Sequence, residues 1–211
     1  MDEFLSYWVS HQDKFLAALG QHLVLVGTVI AISLVVAAVI TIAVHRFRKV
    51  ESAVLQVLGA LYSVPSLALF SLLIPFTGLG FTSAVIVMVM YNQFLLVRNI
   101  VQGLNGVDSS IVQAAVGMGM SPAQVLWRVE LPLAFPSIMA GIRLAVISTI
   151  GIATIAATIN AGGLGDILLS GLRTMNVNKI VDGTILCAVV ALVANGVLKL
   201  IEVFVNRKMA R

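Results

Sequence analysis

Charge is what this sequence has little of. Only 10% of its 211 residues are Asp, Glu, Lys or Arg, against about 25% in water-soluble domains, while 60% are apolar. That balance excludes a water-soluble fold, because no such fold could hide so much apolar surface. A bilayer asks for apolar residues in runs of about 20. The single cysteine, Cys187, excludes an internal disulfide and reads as a small buried apolar side chain. Three histidines, His11, His22 and His45, are dispersed without metal-ligand spacing, and each reads as an interfacial residue. No carboxylate falls deep in an apolar run, since Asp182 and Glu202 stand near the ends of theirs. This argues against a proton-relay carrier, which needs ionisable groups at mid-membrane. No G-x-x-x-x-G-K-[ST] sequence occurs, so the chain has no P-loop for ATP phosphates. Gly78-Leu79-Gly80 and Gly162-Gly163-Leu164-Gly165 lack the rest of a nucleotide fingerprint. The net charge of +4 does not point to nucleic acid, because Lys and Arg flank oily runs instead of interleaving with aromatics.

What is present is long apolar segments with basic flanks. The amino terminus, MDEFLSYW, is acidic where a secretory signal is basic, so the first oily run is expected to be retained. Residues 1–20, with Tyr7 and Trp8, read as a short interfacial helix. Spans are expected at about 22–44, 52–74, 81–100, 137–160 and 180–204. The uncharged stretch 52–97 is about twice the length of one span and breaks at Pro75-Phe76-Thr77-Gly78-Leu79-Gly80. Arg143 is read as snorkelling from the fourth span, and 162–179 as an outer re-entrant or surface piece. Ten of the 13 Lys and Arg fall on one side of this layout (Arg46, Arg48, Lys49, Arg98, Arg128, Arg143, Lys199, Arg207, Lys208, Arg211) and Lys14, Arg173 and Lys179 on the other. The positive-inside rule then puts the carboxyl terminus in the cytoplasm and the amino terminus outside. The chain reads as one all-α, five-span membrane domain, 1–211.

The stretch 108–136 interrupts the oily pattern. Ser110 with Gln113, and Ser121 with Gln124, each have the Ser-x-x-Gln spacing of a capping box, and Pro122 sits where a first helical residue needs no N–H. Two short helices are predicted, one over about 110–118 and a second from Pro122 to about Glu130. Gly119 would form the left-handed turn between them and Leu131-Pro132 would stop the second. Uncharged polar residues inside the spans are candidates for a path: Tyr62, Ser63 and Pro65 in the second, Tyr91, Asn92 and Gln93 in the third, Asn195 in the fifth. Helix-to-helix hydrogen bonding is the alternative for each, and Pro65 is expected to kink its span. Ala153, Ala157 and Ala161 form a small-residue stripe of the kind that lets another helix approach.

Gln113-Ala114-Ala115, Gly119 and Val129-Glu130-Leu131-Pro132 resemble the EAA loop of bacterial ABC-importer permeases, with Gln113 where that family has Glu. A neutral amide hydrogen-bonds but forms no ion pair. Tyr62-Ser63-Val64-Pro65-Ser66-Leu67-Ala68-Leu69, Gly117-Met118-Gly119-Met120, Ile138-Met139-Ala140-Gly141-Ile142-Arg143 and Gly162-Gly163-Leu164-Gly165 are similar to the osmoprotectant branch, which takes up glycine betaine, carnitine or choline. Methionine-type permeases share the five-span layout and the Gly-Gly-Leu-Gly. The resemblance implies the type I ABC importer permease fold, with cytoplasmic coupling helices. Gln113, Ala114, Ala115, Gly119, Leu131 and Pro132 would dock on a separate ATP-binding subunit. It also implies a second permease copy, an extracytoplasmic substrate-binding protein and location in the bacterial inner membrane. ATP and Mg would be bound on the partner ATPase, with no cofactor and no catalytic or metal residue in this chain. A self-sufficient channel or secondary carrier is the reading from another class.

Overall fold

The computed structural model describes residues 11–209, and every element among them is helical. Tyr7 and Trp8 lie outside the described residues. In chain order the helices are α1 (Gln12–Arg46), α2 (Glu51–Ser63), α3 (Ser66–Thr77), α4 (Phe81–Asn105), α5 (Ser109–Gly117), α6 (Pro122–Val125), α7 (Leu131–Ala156), α8 (Leu164–Arg173) and α9 (Val177–Met209). Short 3-10 turns stand at Arg48–Val50 and Ala157–Ile159. Among the described residues, four helical segments are long and apolar enough to cross a membrane: Gln12–Arg46, Phe81–Asn105, Pro122–Ile159 and Val177–Lys208. A fifth candidate is the pair Arg48–Ser63 and Ser66–Thr77, bent by 93°.

Three expectations change here. Residues 12–20 form no separate surface helix but open α1, which runs unbroken for 35 residues because no glycine pair or proline interrupts it. The second span, expected over 52–74 with a kink at Pro65, does bend there, but by 93°, so that it is a corner between two helices. Val64, the residue before Pro65, is forced out of the helical region to φ −71°, ψ 133°, and the chain turns there. Pro75 lies inside α3, and the turn that follows is made by Gly78 and Gly80, at φ 77° and 110°. The third change concerns Leu131-Pro132, which does not stop a helix. Leu126–Glu130 winds as a π turn, and α6 continues through it into α7. A proline ring crowds the carbonyl four residues back, and widening the preceding turn relieves that clash without ending the helix.

The core is built around α4. Leu25 and Val29 of α1, Phe70 of α3, Val87 and Met88 of α4, and Ile150 and Ala153 of α7 form one buried cluster; Ala37, Val44, Leu96, Val97, Val101 and Ala145 form a second. Small residues set how closely α4 and α7 cross. A Cβ on Gly103 would lie 2.8 Å from Ser137 Cβ, and one on Gly141 would lie 2.7 Å from Asn99 Cβ. Ser137 Oγ donates to the Asn99 carbonyl across this seam at 2.8 Å. The alanine stripe serves a similar contact, since Gly165 at the start of α8 packs so that an added Cβ would meet Ala157 Cβ at 2.7 Å. Arg143 does more than snorkel: it pairs with Glu202, tying α7 to α9. Neither α2 nor the most apolar stretch of α9 buries a residue within the chain, leaving both faces for lipid or another subunit.

Candidate functional site

Two sites emerge, one at each level of the bundle. At the end of α1 that carries Arg46 and Arg48, the stretch 108–130 forms two short helices around a tight turn. Asp108 starts the first, with its Oδ1 accepting from the Ser110 N–H at 2.8 Å. Ser110 and Gln113 therefore do not form the predicted capping box; the carboxylate one residue outside the helix has taken the orphan amide. The second box does form. Ser121 Oγ accepts from the Gln124 N–H at 3.3 Å while Gln124 Oε1 accepts from the Ser121 N–H at 2.8 Å, with Pro122 at the first helical position. Between them Gly119 has φ 83°, and the Met120 N–H donates to the Ala115 carbonyl at 3.2 Å. That is the left-handed termination predicted for this glycine.

Burial divides the stretch into an anchored side and a presented side. Ala115 and Val125 are buried, whereas Gln113, Ala114 and Gly119 are exposed and Leu131 and Pro132 are half-buried. Ile111, Val116 and Met118 are exposed apolar side chains of the first short helix and the turn after it. Gln113 also lines a cavity of about 410 Å³ with Arg48, Glu51, Asn105, Ser109 and Glu130. Its walls are held by Asn105 Nδ2 donating to Glu51 Oε1 at 2.8 Å and by His45 Nε2 standing 3.4 Å from Glu130 Oε2. Glu130, only 5% exposed, is the least accessible carboxylate of this end, and its meeting with His45, 85 residues away in the chain, is not signalled by any spacing in the sequence.

The second site lies along α4. Tyr91, Asn92 and Gln93 are all buried. The Tyr91 hydroxyl donates to the Val64 carbonyl, the group freed where the chain bends before Pro65. Tyr62 stacks edge-on against Tyr91, with ring centroids 5.5 Å apart, and packs on Phe94 at 5.2 Å. Arg98 lies over Phe94 at 5.5 Å. Tyr62, Pro65 and Tyr91 are thus gathered at the bend, while Ser63 is exposed and its hydroxyl back-bonds to the Gly59 carbonyl at 2.9 Å. Asn92 turns elsewhere. Its Nδ2 donates to Thr149 Oγ1 at 2.9 Å and to Ser33 Oγ at 3.2 Å, joining α4 to α7 and α1. Gln93 Nε2 donates to the Val89 carbonyl at 2.9 Å and to the Ser33 carbonyl at 3.5 Å. Asn195 is half-buried on α9, beside Ala194, which packs on the first core cluster.

His22, read as interfacial, is instead fully buried, packed against Gly163 of the turn before α8. At the same end Gln21 Oε1 accepts from the Gly163 N–H at 3.2 Å, and a cavity of about 400 Å³ gathers Lys14, Asp166 and Lys179. Among the described residues no group of His, Cys, Asp and Glu is placed to hold a metal.

A bundle of long apolar helices with a glycine-turned pair of short helices at one end is the architecture of type I ABC importer permeases, and comparison bears this out. Residues 30–211 match the family described as the binding-protein-dependent transport system inner membrane component, and the chain belongs to it. It is a multi-pass inner-membrane permease and not an enzyme. Among its relatives, the carnitine transport permease OpuCB of Listeria monocytogenes is 34% identical over all of this chain and 97% of the relative. The glycine betaine/carnitine/choline permease OpuCB of Bacillus subtilis is 31% identical over 96% of this chain and 93% of the relative. The ergothioneine permease/binding protein EgtU of Helicobacter pylori is 38% identical over 74% of this chain and 28% of its own, longer length. The fold is similar to that of the MetNI methionine ABC transporter, with a TM-score of 0.79 at 18% identity over 90% of this chain and 95% of that one.

Proposed function

We propose that this chain is the permease subunit of an ATP-driven importer for a small quaternary-ammonium osmoprotectant such as glycine betaine, carnitine or choline. The observation that carries the substrate class is full-length similarity to permeases named for those solutes, at 30% identity or more. The working complex would pair two permease copies over two ATP-binding subunits, which hold ATP and Mg, and receive substrate from an extracytoplasmic binding protein. The carboxyl terminus and the short helices would face the cytoplasm, and the amino-terminal end of α1 the outside. In support, the basic run Arg46, Arg48 and Lys49 stands at the end of α1 that carries the coupling stretch, and Arg207 and Lys208 close α9.

In this reading α5 and α6, with Gln113, Ala114, Ala115 and Gly119, seat in the ATP-binding subunit. Seating without the family's Glu rests on shape and on the exposed apolar rim of Ile111, Val116 and Met118. Closure of the ATPase pair would move α6, and the helical continuity from Pro122 to Ile159 makes that a movement of α7 as well. Because α7 crosses α4 on glycines, the pair can rock only as packed bodies, which suits two discrete packings of the path. The bend at Val64-Pro65, held by Tyr91 and Tyr62, is the place where the path would open; Ser63, Gln93 and Asn195 are further candidates along it, while Asn92 is engaged in the seam between α4, α7 and α1.

The test is uptake of labelled glycine betaine, carnitine, choline, ergothioneine and methionine in cells lacking other importers. Uptake of a trimethylammonium compound that depends on this chain and on a co-purifying ATP-binding subunit is the expected result. Uptake of methionine alone would overturn the substrate class. A lone oligomer that conducts in liposomes without ATP would overturn the importer.

A further inference from the structure

Beside the basic end of α1 lies a groove that nothing above uses. It encloses about 240 Å³ between Leu34, Thr41 and His45 of α1, Ile100 of α4, and Leu126 and Trp127 of the π turn. Its walls are aliphatic apart from three features. Trp127 is 64% exposed at the rim, as an aromatic anchor at a membrane interface would be. His45 closes the end nearest the basic run, where Arg46, Arg48 and Lys49 follow and are exposed. Thr41 is 4% exposed, and its hydroxyl has no hydrogen-bond partner.

Thr41 differs from six other hydroxyls on the helices of this chain. Ser63, Ser71, Thr77, Thr149, Thr174 and Thr184 each donate to the carbonyl four residues back, which is how a helix in lipid satisfies a hydroxyl. Thr41 leaves that capacity unspent in the wall of an apolar groove, where an unpaired hydroxyl is costly and no water is at hand.

We propose that this groove is a binding site for one membrane phospholipid, with an acyl chain between α1 and the π turn and its phosphate at the basic run beginning at His45. Its walls reject anything polar, and Leu34 to Ile42 lie in the apolar part of α1, so the occupant arrives through the bilayer. The geometry also separates two chemistries correctly. Thr41 stands one helical turn inward of His45, about 6 Å at 1.5 Å per residue, so an acyl ester carbonyl can accept from its hydroxyl while the phosphate stays among the cations. A lipid held there braces α1 against the π turn that joins α6 to α7. The proposal uses the membrane location of the chain and not its substrate, so failure of the uptake test leaves it standing.

The experiment uses the full-length chain in vesicles of phosphatidylethanolamine and phosphatidylglycerol containing a trace of phosphatidylglycerol with a photoreactive acyl terminus. After photolysis, label is mapped by peptide mass spectrometry. Adducts are expected in 34–42 and 126–138. Ala38→Trp fills the groove from an exposed position and should cut labelling about tenfold, equivalent to about 1.4 kcal/mol of binding. Val39→Trp, at a 64% exposed neighbour outside the groove, should leave it unchanged. Thr41→Val keeps the shape and removes the hydroxyl, with an expected loss of about threefold, that of one hydrogen bond in a membrane. Unchanged labelling in both Ala38→Trp and Thr41→Val would overturn the site. Equal labelling by a photoreactive fatty alcohol at the same mole fraction would overturn the phosphate contact and hence the phospholipid.

Discussion

The side-chain amide of Asn92 donates to Thr149 Oγ1 at 2.9 Å across the seam between α4 and α7, and Thr149 in turn lies 3.2 Å from the Asn92 carbonyl oxygen. With Ser33 as a third member, this is a buried network centred on Asn92. Asn92→Leu should therefore reduce stability first. Each interhelical hydrogen bond of this kind is worth about 0.6 kcal/mol and at most about 1.7. The unfolding midpoint in detergent should fall, while transport per folded molecule should stay near that of the parent. Thr149→Val added to Asn92→Leu should cost less than the sum of the two single changes, because both remove the same contact. Normal stability with lost uptake would instead place Asn92 on the path.

Closeness of the same two helices gives a second prediction. Gly141→Leu puts a branched side chain where even a Cβ would stand 2.7 Å from Asn99 Cβ and 3.4 Å from the Leu95 carbonyl. Helices α4 and α7 would have to separate, so folded yield in membranes should drop severely, at a cost of roughly 1–3 kcal/mol or more for overpacking. Gly151→Leu, on the same helix with nothing within 4 Å of its added Cβ, is the control and should be tolerated. Equal yields from the two variants would show that the seam is looser than its glycines indicate.

The amphipathic break at 108–136, the apolar runs and the turn chemistry of Gly119 and Ser121-Pro122 were legible because each is local: a cap, a φ value or a run length is decided by neighbours in sequence. The 93° bend was only half legible. A proline tells that a helix is interrupted but not at what angle, and the angle is held by Tyr91, 27 residues away from Val64. The π turn escaped for a similar reason, since Pro132 reads as a stop unless the preceding turn widens. Arg143 with Glu202, and His45 with Glu130, are pairs between elements that no spacing reveals. Asp108 is legible as a cap, since it stands one residue before Ser109 and an Asp caps a helix as well as a Ser does.

That cap carries a pH dependence. The Ser110 N–H donating to Asp108 holds its carboxyl below the usual carboxylate range of about 3.9. A carboxylate with a lowered folded-state pKa contributes stability that is fully present above its unfolded pKa and is lost as pH falls through the lower, folded one. The amides of Ser110 and Ile111 should thus be protected at pH 7 and lose protection under acid, once intrinsic exchange rates are allowed for. Asp108→Asn keeps an accepting oxygen and no titration, so its protection should be flat across the same range. An equal acid loss in the Asn variant would assign the effect to another group.

Gly119 sets the angle between the two short helices, and its conformation makes a sharp test of coupling. At φ 83° it occupies the left-handed region, where glycine is at ease and a β-branched residue is not. Nothing lies within 4 Å of a Cβ added there, so the penalty of Gly119→Val is backbone strain and not a clash. Holding valine in that region costs roughly 1–3 kcal/mol, which the loop escapes only by changing φ and with it the direction in which α6 leaves α5. The long helices satisfy their backbones internally and do not depend on this turn for insertion. The valine variant should accordingly reach the membrane in normal yield and bind the ATP-binding subunit poorly, or bind it without passing its motion to α7. Gly119→Asn is the informative partner, because asparagine tolerates the left-handed region and should restore much of the loss. The measurement is ATPase stimulation by substrate-loaded binding protein in liposomes, normalised to folded permease. Full stimulation in the valine variant would show that the turn angle does not govern coupling, and equal failure of the asparagine variant would show that the position needs the absence of a side chain and not the φ.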